Sequence, residues 1–172
     1  MRQFDINNVD LEMLDIVKEF PEIFLEPSDE VAHYYEQYGT NPDNVSMCNK
    51  KENLINLRYG FEHDNGWKEI VRGFCRDIQD LCNRAKANGD RFQYKGCIMK
   101  EKFGQFTPQG DLICDKESWN KYRDEYYAIC NKWEKKSLTI CEVTGKEGKL
   151  RTRPHGWVRT LCDEEAKKQG YE

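Results

Sequence analysis

NGWKEIVRGFCRDIQDLCNRAKANG, residues 65–89, is the stretch on which the fold turns. Trp67, Ile70, Val71, Phe74, Ile78, Leu81, Cys82 and Ala85 recur at helical spacing over five turns, with charged and amide side chains between them. The pattern predicts a long amphipathic helix, and Asn88-Gly89 supplies a left-handed terminator. The segment that follows, RFQYKGCIMKEKFGQFTPQGDLIC (91–114), places Phe92, Tyr94, Cys97, Ile98, Phe103 and Phe106 between turn residues, which predicts two or three strands. Lys100, Glu101 and Lys102 are expected at a turn beside Gly104. Asp115 then caps a second long helix reaching about Lys136, with Trp119, Tyr122, Tyr126, Ile129, Cys130 and Trp133 on one side. Two one-sided helices around short strands predict an α+β fold, a small antiparallel sheet with both helices laid on one face.

Working outward from this centre, Asn8 can cap a helix that runs to Phe20, with Val9, Met13, Val17 and Phe20 on one stripe and Pro21 as its stop. Ser28 can cap a shorter helix carrying Val31, Tyr34, Tyr35 and Tyr38 and ending at Gly39. Residues 40–53 are polar and read as a loop. No repeat or low-complexity linker interrupts the chain. The expected division is an α+β body, residues 1–138, and a C-terminal module, residues 139–172, packed on it.

Composition narrows the function classes. The 172 residues are 34% charged and 38% hydrophobic, yet 12% are aromatic, and large rings can close a core with few aliphatics. The net charge of −4 gives no general pull toward nucleic acid or acidic membranes. No apolar run approaches the roughly 20 residues that span a bilayer. MRQFDINNVDLEML, at the N-terminus, has acidic residues where a secretory signal needs an apolar core. The expected location is therefore the cytoplasm, where the eight cysteines stay thiols. Cys75, Cys82 and Cys130 fall on apolar helix faces and read as small buried hydrophobes.

The tail carries the chemistry. In CEVTGKEGKLRTRPHGWVRTLCDEE (141–165), Cys141-x-x-Thr144-Gly145 has the length of a zinc knuckle. Residues 150–152 and 157–161 can pair around Pro154-His155-Gly156. Residues 162–168 then open a helix whose acidic first turn and basic last turn suit its dipole. Knuckle, hairpin and helix follow in the order of a treble clef. Structural zinc takes four Cys or His ligands. Only Cys141 and Cys162 stand at ligand positions, Thr144 is a poor ligand, Glu165 is an uncommon one, and His155 lies in the hairpin turn. No cofactor is favoured, and zinc on Cys141, Cys162 and Glu165 is the alternative. A full zinc site contributes about 10–16 kcal/mol in finger peptides. Here that support is expected instead from packing of Ile140, Val143, Leu150, Trp157, Val158 and Leu161, with Trp133 and Leu138 as the platform.

The hairpin is also basic. Lys146, Lys149, Arg151, Arg153 and Arg159 lie close together, opposed locally by Glu147 alone. Arg151 and Arg153 alternate with Thr152 and should share a strand face. With Trp157 beside them they form a candidate surface for a protein partner, or for the phosphates and bases of a nucleotide or nucleic acid. No catalytic residue is assigned. His33, His63 and His155 are not placed beside a nucleophile, and no glycine-rich phosphate loop or paired-carboxylate pattern exists. Glu62 and Asp64 read as helix-terminal carboxylates.

The chain resembles a family of small proteins of bacteriophages, prophages and bacteria that end in a treble-clef-like zinc-finger motif. The resemblance runs from about Phe20 onward. It is carried by Phe20-Pro21-Glu22-Ile23-Phe24, by Tyr59-Gly60-Phe61-Glu62 with Gly66-Trp67, and by Lys100-Glu101-Lys102-Phe103-Gly104. Cys141-Glu142-Val143 and Gly156-Trp157-Val158-Arg159-Thr160-Leu161-Cys162-Asp163 carry most of it. Family members usually have cysteine at the position of Thr144, His or Cys at that of Glu165, and often cysteine at that of His63. After Gly104 they tend to read Leu-Arg-Phe-Tyr where this chain has Gln105-Phe106-Thr107-Pro108. The resemblance implies a phage setting and no particular chemistry. The expected function is a non-enzymatic accessory binding protein acting on a host or phage protein, as in counter-defence. The alternatives are sequestration of a nucleotide signal, and a nuclease or nucleotide hydrolase assembled by the fold.

Overall fold

The computed structural model describes residues 11–24, 60–154 and 156–172. In chain order these form α1 (Leu11–Glu19), α2 (Pro21–Phe24), β1 (Gly60–Glu62), a 3-10 turn (Asn65–Trp67), α3 (Lys68–Ala87), β2 (Phe92–Lys102), β3 (Gln105–Cys114), α4 (Lys116–Ser137), β4 (Lys149–Thr152), β5 (Val158–Leu161) and α5 (Asp163–Gln169).

The periodic stripe of residues 65–89 is the inner face of α3 and its 3-10 lead-in. Trp67, Ile70, Val71, Phe74, Ile78, Leu81, Cys82 and Ala85 are all buried. The helix stops at Asn88-Gly89, with Gly89 at φ 77. Asp115 caps α4 by accepting a bond from the Ser118 amide at 2.7 Å. Upstream, α1 buries Met13, Ile16 and Val17, and Pro21 both ends that stretch and begins α2, a position suited to its missing N–H. Asn8, Val9, the expected helix from Ser28 to Gly39 and the loop 40–53 lie outside the described residues.

The fold is α+β, and its sheet is mixed. β2 and β3 pair antiparallel from Phe92↔Cys114 to Lys102↔Gln105, with an irregularity between Gly96 and Ile98. The turn is only Phe103–Gly104, at φ 55 and 79, so Lys100, Glu101 and Lys102 continue β2 and do not turn. Two positive φ values suit the right-handed twist of a tight hairpin. The wholly antiparallel sheet expected from the sequence is corrected by β1, which lies parallel to β2 with Gly60 opposite Ile98. The cause is the connection. A long helix between two neighbouring strands returns the chain in the same direction, as in a βαβ unit. Among the described residues β3 is an edge strand, where Pro108 can sit without costing a ladder bond.

One aromatic core ties the layers together. Phe74 of α3 meets Tyr94 at 5.6 Å and Phe106 at 5.8 Å, and Tyr94 meets Tyr126 of α4 at 6.2 Å. Both long helices therefore cover the same face of the β2–β3 hairpin. Trp133 lies against Gly73 and donates its Nε1 to Asp77 at 2.8 Å. Among the described residues no helix is long and apolar enough to cross a membrane.

The C-terminal module has its own small core of Cys141, Leu161, Ala166 and Tyr171, joined by Val143 and Cys162. Leu150 and Trp157 do not belong to it, being 51% and 64% exposed. Leu150 sits opposite Thr160, on the hairpin face turned away from Leu161, and Tyr171, returning after α5, takes the inner place. Module and body meet through side chains of one donating to backbone carbonyls of the other. Trp67 Nε1 donates to the Ile140 carbonyl at 2.8 Å. Thr160 Oγ1 donates to the Gly104 carbonyl at 2.6 Å.

Candidate functional site

The knuckle is a closed turn. The Cys141 amide donates to the Lys146 carbonyl at 2.7 Å, and the Gly145 amide to the Cys141 carbonyl at 2.9 Å. Gly145 takes φ 72, which a side chain rarely allows. The two cysteines at ligand positions come together around Thr144, whose Oγ1 lies 3.7 Å from Cys162 Sγ. Burial disfavours the Cys141 thiolate, but hydrogen bonds from the Thr144 hydroxyl and from the amides of Cys162, Thr144 and Val143 outweigh it and set the thiol pKa below its ordinary value. Glu165 is turned elsewhere. Its carboxylate accepts from Gln169 at 2.8 Å and from Lys168 at 3.4 Å, and these bonds hold its pKa down. Two sulfurs and a hydroxyl do not make a zinc ligand set. The donors of this module do not fit the metal that its shape implies.

The basic hairpin looks different once folded. Arg159 reaches inward, donating to Glu142 at 2.8 Å, to Asp64 at 2.5 Å and to Gln169 at 3.0 Å. Burial alone would lower its pKa, yet the bonds to Glu142 and Asp64 raise it, so Arg159 stays charged. Burial also raises the Glu142 carboxyl pKa, against the pull of Arg159. Arg151 is bound to Asp163 at the start of α5. Lys146 lies 3.6 Å from Glu164. The local impression of cations opposed by Glu147 alone is therefore corrected. The fold brings Asp64, Glu142, Asp163 and Glu164 to them, three from outside the hairpin stretch and one from 95 residues away.

What stays outside is narrower. Arg153 lies over two rings, 5.9 Å from the centre of Trp157 and 5.2 Å from that of Tyr171. Trp157 is thus exposed, with a guanidinium close to its ring. Lys149 is exposed at the start of β4. On the other hairpin face, Leu150 and Val158 sit beside Gly104, where an added Cβ would fall 2.3 Å from Leu150 Cδ1. Next to it, Phe103 is 76% exposed, with the Lys102 ammonium 5.5 Å from its ring centre. Sequence reasoning did not assign Phe103 to this surface. A bulky residue at positive φ is rare, and Phe-Gly as a two-residue turn between strands was the available signal.

His63 is caged by Phe61, Trp67 and Phe106, its Nδ1 2.8 Å from the Asp64 carbonyl oxygen and its Nε2 without a hydrogen-bond partner among the described residues. Burial lowers its pKa, which keeps it neutral. His155 lies outside the described residues. No family model, no curated protein and no solved structure matches this chain.

Proposed function

We propose that this chain is a non-enzymatic binding protein that docks a protein partner through the outer edge of its C-terminal module. The observation that carries the reading is Trp157, 64% exposed with the Arg153 guanidinium 5.9 Å from its ring centre. Pre-ordered Trp and Arg side chains are the residues that most often dominate protein interfaces.

Protein is favoured over nucleic acid because the two best-placed arginines are spent internally. Arg151 and Arg159 are held by carboxylates, so the cations left for a phosphate backbone are few. Lys149, Arg153 and Lys102 can serve as a basic rim, which suits a partner with acidic residues around an apolar pocket. The resemblance to phage proteins supports a host or phage protein as that partner, and a counter-defence role. The test is affinity capture from host-cell lysate with wild type and W157A side by side. A partner retained at stoichiometric yield by wild type and lost by W157A, with both proteins equally folded, is expected. An identical set of captured proteins for the two would remove the hairpin edge as the docking surface.

A further inference from the structure

Docking of the module leaves a cleft of about 620 Å³ between the start of α3, the end of α4 and the knuckle turn. Its volume lies within the roughly 300–1,000 Å³ of small-ligand sites. Two of its sides are fixed by close backbone approach. Gly66 lies under the Cys141 and Glu142 carbonyls, and Gly73 lies under the Trp133 ring, where a Cβ would fall 1.9 Å from a ring carbon. The Trp133 ring is further pinned by its Nε1 bond to Asp77. The Trp133 side chain therefore lines the cleft in a set position, with Gly73 against its ring and the Lys132 ammonium 4.9 Å from its ring centre.

The charge of the cleft has one dominant sign. Lys68 and Arg76 come from α3 and Lys136 from the last turn of α4. Among the described residues neither Arg76 nor Lys136 has an ion-pair partner. The carboxylate on the lining is Glu69, and it is taken by Arg72. Ile70, Ile140 and Val143 supply the apolar lining. A fixed ring, an apolar lining and a cationic rim match a ligand that has both a flat heterocycle and a cluster of negative charge. None of the hairpin cations considered above lines this cleft.

We infer that the cleft between α3, α4 and the knuckle binds a free nucleotide, its base against Trp133 and its phosphates toward Arg76, Lys136 and Lys68. This site is separate from the protein-docking edge and does not depend on it.

The probes are ATP, GTP, CTP and UTP, each titrated calorimetrically against the full chain, with inorganic tripolyphosphate, the parent nucleosides and a single-stranded oligonucleotide as further arms. At least one triphosphate is expected to bind in the micromolar range and to change tryptophan fluorescence. R76E/K136E should weaken that binding at least ten-fold. Both side chains are exposed, so the variant should keep the wild-type melting temperature. K149E, on the hairpin, should bind as wild type does. Absence of binding by all four triphosphates to millimolar concentration overturns the inference. So does tripolyphosphate binding as tightly as the nucleotides, tighter binding of the oligonucleotide, retention of binding in R76E/K136E, or its loss in K149E. W157A should leave nucleotide binding intact, which keeps failure here distinct from failure of the docking surface.

Discussion

At Gly66 an added methyl group would lie 2.3 Å from the Cys141 carbonyl oxygen and 2.4 Å from that of Glu142. Neither oxygen belongs to a side chain that can swing aside, so the body and the module would have to part. Gly66→Ala is expected to destabilise the protein by about 1–3 kcal/mol, as overpacking of a tight contact does, measured by urea unfolding. His63 is a second residue whose role is set by surroundings. A buried histidine with a lowered pKa contributes stability that is fully present above the ordinary value of about 6.5 and is lost as pH falls through the folded pKa. H63F removes that titration from its aromatic cage. The melting temperature of H63F relative to wild type should therefore rise as pH is taken from 8 to 5; a difference that does not vary with pH would contradict the buried, neutral assignment.

Arg159 of β5 holds Glu142, whose side chain is 4% accessible, and reaches Asp64 ahead of α3. Removing one partner of a buried pair strands the other, at a cost of several kcal/mol. The Arg159 side chain is 21% accessible and Glu142 can take up a proton, so the effect is smaller, about 2–3 kcal/mol for Arg159→Met. E142Q should recover part of that loss in the double variant, read from a double-mutant cycle by chemical denaturation. The knuckle gives a complementary expectation. Thr144→Cys with Glu165→Cys should turn the frame into a zinc site that takes up one metal per chain and melts higher with it, by titration calorimetry and thermal unfolding.

The elements also show what could be read in advance. α3 and α4 were legible because a helix of twenty or more residues buries one continuous stripe, and periodicity over five turns has few competing explanations. β1 was not, because three residues cannot show alternation and its partner lies beyond the whole of α3. The knuckle, hairpin and helix order was readable from local spacing. Which hairpin face turns inward was not, since Trp157, Arg159 and Leu161 alternate with Val158 and Thr160 and either set could have been covered. In the fold both are covered in part: Leu161 lies in the module core, and Thr160, on the other face, is buried against the Gly104 carbonyl. Ion pairing was the least legible part of the candidate site, because Asp64 and Arg159 are neighbours only after folding.

At the scale of the whole molecule the tail and the body are one structure. The C-terminal residue pairs back onto the hairpin, with the Glu172 amide donating to Thr152 at 2.7 Å and the Thr152 amide returning the bond at 3.0 Å. Trp67, wholly buried in the main core, is anchored by a carbonyl of the tail. The finger-shaped module has its own packed core and is hydrogen-bonded to the body; we propose that it needs no metal and offers its outer edge to a partner. The most direct measurement is zinc quantification on natively purified protein, combined with thermal unfolding with and without a strong chelator. Zinc far below one atom per chain and the same melting temperature in both conditions are expected. One firmly held zinc per chain, whose removal lowers the melting temperature, would contradict it.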